Sequence, residues 1–516
     1  MLELFGMFVL ALAPIIWLVI ALCGLHMEAY VASLGALVVA AACAMLGWGM
    51  TPINMATAAL EGFAMAIWPI VIVIIAAVFT YNVTVHTSGM ETIKAMLCSV
   101  SDDRRILTLL IAWCFGGFLE GMAGFGTAVA IPASMLVALG VSPVTAILAC
   151  LIANGVPTMF GSIGIPTTTL ASITGIDAFQ LAFTQAVQVL PFVIACPILM
   201  VMLVGGGPRA LRGALPAALV AGLSFGLPMI AAAQFVGPTL ADVVAATCSL
   251  VATFLFALTL RGGEAPDEYR LTNVHHYEGF GGPALQILLA WSPFILILVA
   301  LLLTSQLVPA ISEPLSSIAT TVNIYAGDPT ATLTFTWIDT PGVIIIVCGI
   351  VGGLIQGCSA RELLQVLLDT CRQMGKTILT MLGVLACAKI MGYSGMIASI
   401  AAFFVGTLGG FYPLVAPLLG ALGTFVTGSG TSSEVLFGNV QLSAAQSIGV
   451  DPTWLVASNS LGVSAGKMLS PQNIAIGCAA CGLVGKDGEI LGKIAKYAFG
   501  FAIAMAILVY VGSLVL

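Results

Sequence analysis

The chain has 516 residues, 7% of them charged and 60% apolar, with 15 Lys+Arg against 22 Asp+Glu for a net charge of −7. A soluble globular chain carries about 25% charged and 45–50% apolar residues, so the composition excludes a water-soluble protein. With no basic run to neutralise phosphates it also excludes nucleic-acid binding. At about 20 apolar residues per crossing of a hydrocarbon core, the chain reads as an all-α polytopic membrane protein of about 12 spanning helices.

The first apolar run, Leu4–Leu25, lies far from the first basic residue, Lys94. It lacks the positive n-region of a secretory signal peptide and is expected to stay as the first transmembrane helix. Further spans are predicted at 28–47, 63–85, 143–160, 180–205, 213–233, 239–260, 284–305, 341–359, 377–393, 453–470 and 497–516, from hydropathy and Pro/Gly punctuation. Two Gly-rich stretches, 106–140 and 412–447, do not read as simple spans and are predicted as re-entrant hairpins. Each is followed by a predicted broken helix, 143–175 and 453–481. Short loops rich in Lys and Arg stay in the cytoplasm. That rule puts Lys94/Arg104/Arg105, Arg209/Arg212, Arg261/Arg270, Arg361/Arg372/Lys376 and Lys486/Lys493/Lys496 inside. The stretch 306–340 has no Lys or Arg and is expected outside, where the alternation of Thr332–Trp337 after the Ala326–Pro329 turn predicts a small β-hairpin near 330–337. The 13 cysteines fall mostly in apolar runs and read as small buried hydrophobes; Cys478-Ala-Ala-Cys481 has a redox spacing but no soluble βαβ context.

An internal repeat organises the chain. Ser88-Gly-Met90 recurs as Ser394-Gly-Met396, Gly124-Phe-Gly-Thr127 as Gly428-Ser-Gly-Thr431, and Gly140-Val-Ser-Pro143 as Gly449-Val-Asp-Pro452. Asn154, Gly161 and Pro166 recur with identical spacing as Asn459, Gly466 and Pro471. The first Ser-Gly-Met sits beside a basic loop and the second follows a helix leaving one, so the copies are predicted to be inverted. The expected organisation is N-terminal helices (1–50), repeat 1 (51–208), connecting helices and exterior loop (209–340) and repeat 2 (341–516). Inverted repeats with matching broken helices mark secondary transporters, whose half-helix ends meet an anionic substrate near the midplane.

The tip Phe115–Thr127 places five glycines and the carboxylate Glu120 in what should be membrane interior, and its counterpart Gly423–Ser433 carries six hydroxyls. Such glycine density argues for exposed backbone amides at a ligand tip, with close helix packing as the rival reading. Candidate substrate-binding residues are therefore Gly124, Gly126, Thr127, Asn154, Gly428, Thr431, Ser432, Ser433, Asn459, Lys467 and Ser470. Lys467 is a cation inside the second broken helix and the natural partner of a carboxylate. Glu120 and Glu434 are the proton-coupling candidates, and a Glu120 pair with Lys467, or a pair of either carboxylate with Lys389, stays open. His26 and His86 read as interfacial. No cluster of metal ligands and no catalytic motif stands out, so neither a cofactor nor an enzyme is expected.

The segments Phe115–Gly126, Thr427–Ser433 and Gly466-Lys-Met-Leu-Ser-Pro-Gln472 with Ile474-Ala-Ile476 resemble the signatures of the bacterial lactate permease family, which includes glycolate permeases. The similarity extends to the Ile163-Gly-Ile-Pro166 break and the Thr174-Gly-Ile-Asp177 turn. It departs from the family pattern at Gly430, Glu434 and Lys389. The resemblance implies uptake of L-lactate, D-lactate or glycolate with a proton across the bacterial inner membrane, by elevator-type motion. The expected partners are a small carboxylate, protons and the lipid bilayer. The alternative carried forward is a sodium-coupled di- or tricarboxylate transporter.

Overall fold

The computed structural model describes residues 2–25, 27–124, 126–259, 266–271, 284–305, 307–483 and 486–515. His26, Phe125 and Arg261, which enter the expectations above, lie outside them. The chain opens with α1 (Leu2–Val19), α2 (Ala29–Trp48), α3 (Pro52–Met65) and α4 (Ile72–His86). α3 and α4 form one long span that kinks at Trp68 (φ −128°, ψ 115°), the residue before Pro69, where a following proline disfavours helical backbone. Next come α5 (Gly89–Cys98) and α6 (Arg104–Thr108), and a wide π-helical stretch, Leu109–Phe115, that leads into α7 (Gly116–Met122). The chain turns at Gly124 and Gly126, both at positive φ (62° and 84°), into α8 (Thr127–Ala138). α9 (Pro143–Gly155), a tight turn at Val156–Phe160 and α10 (Gly161–Thr174) form one interrupted element. α11 (Ala178–Val204), α12 (Leu215–Phe235), α13 (Pro238–Thr259) and α14 (Ala284–Leu303) follow, then α15 (Pro309–Ser316) and the strands β1 (Ala319–Val322) and β2 (Leu333–Thr336). The rest is helical: α16 (Pro341–Ile355), α17 (Ala360–Ser394), α18 (Met396–Leu408), α19 (Tyr412–Thr427), α20 (Gly430–Ile448), α21 (Pro452–Leu469), α22 (Pro471–Ala480) and α23 (Asp487–Ser513).

Among the described residues, 12 segments are long and apolar enough to cross a membrane, the number the hydropathy reading expects; ten fall on predicted spans, whereas Arg104–Met122 and Met396–Thr427 run into the stretches expected as hairpins, the predicted span 341–359 is the shorter helix Pro341–Ile355, and the one at 453–470 is not among the twelve. The predicted spans 143–160 and 377–393 prove to be parts of longer elements, Pro143–Thr174 and Ala360–Ser394. Large apolar side chains stand exposed on the outer helices, Leu46 at 88% and Val38 at 68%. In water such exposure would be costly; facing lipid it is not. The predicted exterior hairpin is present, β1 pairing antiparallel with β2 from Ala319↔Thr336 to Val322↔Leu333, so the partner strand lies upstream of the Ala326–Pro329 turn.

One local recipe starts two helices. Gly140 (φ 101°) ends α8, the Ser142 hydroxyl accepts the Thr145 N–H, and Pro143 opens α9. Gly449 (φ 72°), Asp451 accepting from Trp454 N–H, and Pro452 do the same for α21. A left-handed glycine stops a helix, a short oxygen side chain caps the next, and proline is pre-set for the first turn.

Loops gather at two ends. Arg105 is only 3% exposed; its guanidinium grips Asp103 (Nη2–Oδ2 2.6 Å), donates to the carbonyls of Ala210 and Arg212, and stacks 3.9 Å from the Tyr269 ring centre. Three basic segments are thereby tied together. At the other end Trp68 Nε1 donates to Thr336 O (2.9 Å), Ala326 N–H to Thr57 Oγ1 (3.1 Å), and Tyr325 stacks on Tyr393 at 3.7 Å.

Candidate functional site

The site is built where helices stop. α19 turns at Gly428 (φ 70°) into α20, whose first turn is capped by the Ser429 hydroxyl accepting the Ser432 N–H (3.2 Å). α21 ends at Ser470 (φ −58°, ψ 121°), where the chain is extended before Pro471 opens α22. In the first half, Ser162, Ile163 and Gly164 stand consecutively in left-handed backbone (φ 48°, 60° and 70°), two of them with a Cβ that disfavours it. This strained break is stapled to the α7–α8 turn by Ser162 Oγ donating to Ala123 O (3.1 Å). The two interrupted helices touch near their breaks: Ser464 Oγ donates to Val156 O (3.3 Å), and a Cβ at Gly155 would come 2.6 Å from Ser464 O.

Between these stops lies a cavity of about 490 Å³. Its inner wall carries Glu120, Thr158, Gly161, Ser162, the turn Gly428–Thr431, Lys467, Ser470 and Gln472, and its outer wall is Met374, Thr377 and Thr380 of α17 with Tyr30 of α2. The N-terminal ends of α20 and α22 both border it, presenting the positive ends of two helix dipoles. Lys467, 7% exposed, adds a full charge. A pocket with two helix N-termini and a lysine is chemically an anion site.

Lys467 Nζ is 3.8 Å from Glu120 Oε1, a loose pair, and Asn154 Nδ2 donates to Glu120 Oε2 at 2.7 Å. Gly161 leaves room for this carboxylate, since a Cβ there would come 2.7 Å from Oε1. In the second half Asn459 Nδ2 donates to Glu434 Oε2 at 2.8 Å, and Gln441 in turn donates to Asn459 Oδ1 (3.3 Å). Matching asparagines thus each hold a buried carboxyl. The carboxyls stand on opposite arms of their hairpins, Glu120 before the turn and Glu434 after it.

Of the sequence candidates, Glu120, Gly428, Thr431, Lys467 and Ser470 line the cavity. The Ser470 hydroxyl is buried and has no hydrogen-bond partner. Gly124, Gly126, Thr127, Asn154, Ser432, Ser433, Asn459 and Glu434 are not part of its wall. A Cβ on Gly124 would collide with Ser162 Oγ, and one on Gly126 with Ile476, so these glycines serve close packing at positive φ. Thr127 donates to Gly124 O (2.7 Å) and Ser433 to Gly420 O (2.7 Å), both internal to their hairpins. Lys389 pairs with neither candidate carboxylate: its Nζ is 2.7 Å from Glu61 Oε1, which also accepts from Tyr393 Oη at 2.8 Å. Glu61 and Asp242 escaped the sequence reading, although a charged residue inside an apolar run marks both.

A sequence profile described as L-lactate permease matches residues 7–516 of the chain. The chain is 42% identical over 455 residues to an L-lactate permease of Streptococcus iniae, covering 88% of this chain and 94% of that protein. It is 35% identical over 543 residues to the glycolate permease GlcA of Escherichia coli (strain K12), covering 96% and 94%. The solved structure of Neisseria gonorrhoeae MtrF, described within a class of antimetabolite efflux pumps, shares the fold with TM-score 0.50 at 14% identity, covering 90% of this chain and 85% of that one.

Proposed function

The chain belongs to the L-lactate permease family, as a multi-pass bacterial membrane transporter of lactate or glycolate and not an enzyme, and from that premise we propose that it is a symporter carrying a small 2-hydroxymonocarboxylate together with a proton across the inner membrane. The observation that carries this reading is the shared lysine: Lys467 faces the cavity while paired at 3.8 Å with Glu120, which faces it too. A substrate carboxylate at the ends of α20 and α22 competes with Glu120 for Lys467. A carboxylate left in the interior without its cation is strongly disfavoured, so anion binding and proton binding become linked. Thr431 and Ser470 are the hydroxyls placed to meet a 2-OH, and Glu434 is a second carboxyl held in reserve behind the hairpin. The two repeats are read as inverted in the membrane, with hairpins 106–140 and 412–447 re-entrant. The cavity opens on the side of Lys376, which lines it, and by the distribution of basic loops that side is the cytoplasm.

The test is uptake into proteoliposomes loaded with unlabelled substrate or placed under an imposed pH gradient, across a panel of L-lactate, D-lactate, glycolate, succinate and citrate. Accumulation of a monocarboxylate that follows the pH gradient and is indifferent to replacing Na⁺ by choline is expected. Accumulation that requires Na⁺, or that prefers di- or tricarboxylates, would overturn the reading.

A further inference from the structure

Four carboxyls lie buried among the spanning helices: Glu61, Glu120, Asp242 and Glu434. Lys389 pairs with Glu61 and Lys467 with Glu120, and among the described residues no ion pair reaches Asp242 or Glu434. Glu434 at least receives the Asn459 amide at 2.8 Å. Asp242, on the first turns of α13, is 0% exposed, and neither of its oxygens has a hydrogen-bond partner. It stands directly behind the cavity wall: a Cβ at Gly121 would come 3.0 Å from Asp242 Oδ2, and Glu120 is the next residue.

The surroundings of Asp242 hold little else that titrates. α12, α10, α14 and the Val156–Phe160 turn carry no ionisable side chain; α11 offers only Cys196 and the Leu109–Phe115 stretch only Cys114, which bonds Ser249 and Thr253 further along α13. α13 itself adds Cys248. α7 presents Glu120, with Lys467 beyond it. A bare carboxylate in such a place has neither cation nor donor to replace its hydration. Glu120 has both, in Lys467 and Asn154. Of the four carboxyls, Asp242 alone has neither a counter-charge nor a hydrogen-bond donor among the described residues, and it is the one that gains most by taking a proton.

We propose that Asp242 is the proton-binding site of the transport cycle and that Glu120 is the relay connecting it to water in the cavity. With the proton on Asp242, the interior holds Lys467⁺, Glu120⁻ and the substrate anion, a net charge of −1. To unload, the Asp242 O–H bond breaks, the proton passes to a Glu120 oxygen and from there to water, and Asp242 is left ionised. Two carboxylates now face one lysine, Lys467 is drawn to them, and the substrate anion is released; the empty interior again carries −1. Both translocating states therefore have the same charge, and one proton moves with one anion. The inference rests on the symport reading above and adds where the proton sits.

Asp242→Asn mimics the protonated acid permanently. The variant is expected to keep exchange of external labelled for internal unlabelled lactate, with a flattened pH dependence, and to lose accumulation driven by an imposed pH gradient. In weakly buffered detergent solution, wild-type protein should take up about one proton per bound lactate and Asp242→Asn none. If wild-type protein shows no pH-driven accumulation, it is the symport reading that fails. If wild-type accumulates and Asp242→Asn accumulates equally, or if a folded Asp242→Asn cannot exchange, the assignment of Asp242 is overturned. Should Asp242→Asn not fold, Asp242→Glu is read instead: a displaced pH profile of uptake supports the assignment, and an unchanged profile overturns it.

Discussion

In the proposed cycle Lys467 is shared between Glu120 and the substrate carboxylate, and that fixes what its replacement should do. Lys467→Met removes the charge proposed to meet the substrate and strands Glu120 in the interior, where breaking a buried pair costs about 3–5 kcal/mol. A charge-assisted hydrogen bond contributes about 1.5–3 kcal/mol, so lactate affinity is expected to fall roughly 10- to 100-fold. To separate binding from folding, Lys467→Met combined with Glu120→Gln should recover thermal stability in detergent without recovering affinity; binding at wild-type strength in the double variant would show the lysine to be structural. Lys467→Arg keeps the charge with a different donor geometry and should retain part of the uptake. Glu120→Gln alone predicts the opposite pattern. It frees Lys467 from competition, so equilibrium binding of lactate should tighten or hold, while accumulation under a pH gradient falls to background because glutamine cannot relay a proton. Persisting gradient-driven accumulation would remove Glu120 from the coupling path.

At the scale of elements, the cavity depends on how closely α19 and α21 approach. Gly462 and Gly466 are four residues apart on α21, one helical face, and a Cβ on either would strike a carbonyl of α19, those of Pro417 and Ala421. Gly420 answers from the other side against the Asn459 carbonyl. The contact is backbone against backbone, so it cannot yield by rotating a side chain. Gly462→Ala is expected to destabilise by at least about 1–3 kcal/mol through overpacking and to lower the melting temperature in detergent. Gly500→Ala on α23, where nothing lies within 4 Å of the added methyl, should leave it unchanged or raise it slightly. Equal melting of both variants would mean that the interhelical approach is not tight. Within the two tips, a Cβ on Gly124, Gly126 or Gly423 would collide with a neighbouring side chain, while Gly428 lines the cavity; the sequence alone cannot divide ligand tip from close packing, because both roles ask for the same missing Cβ.

For the whole molecule, the arrangement of loops predicts sidedness. Ala326 is exposed beside the β1–β2 hairpin, and Arg209 is exposed on the short turn gathered with the other basic segments. Cysteine at position 326 should react with an impermeant maleimide in intact cells, and cysteine at 209 only after permeabilisation, each measured above the background of native thiols. Equal labelling from outside would contradict the proposed inversion of the two repeats. Arg105 is a poor probe for this purpose because it is buried against Asp103 and Tyr269.

Membrane residence, about a dozen spans and the helix starts at Ser142-Pro143 and Asp451-Pro452 follow from the sequence by itself, because hydropathy and capping act over one helix length and leave their signature in consecutive residues. Lys467 and Glu120 stand out as candidates in the same way, since a charge in an apolar run is costly wherever it ends up. Partnership is not. Lys389 meets Glu61 from 328 positions away and leaves Glu434 to Asn459, and Asp242 lies behind Glu120 from a different helix. Such pairings are set by which helix faces pack together, and packing among spanning helices is decided by shape, with small residues such as Gly121 and Gly161 giving carboxyls their room. Only the tertiary structure brings four carboxyls and two lysines into one interior, and only there does the excess of carboxyls over cations become a question about protons.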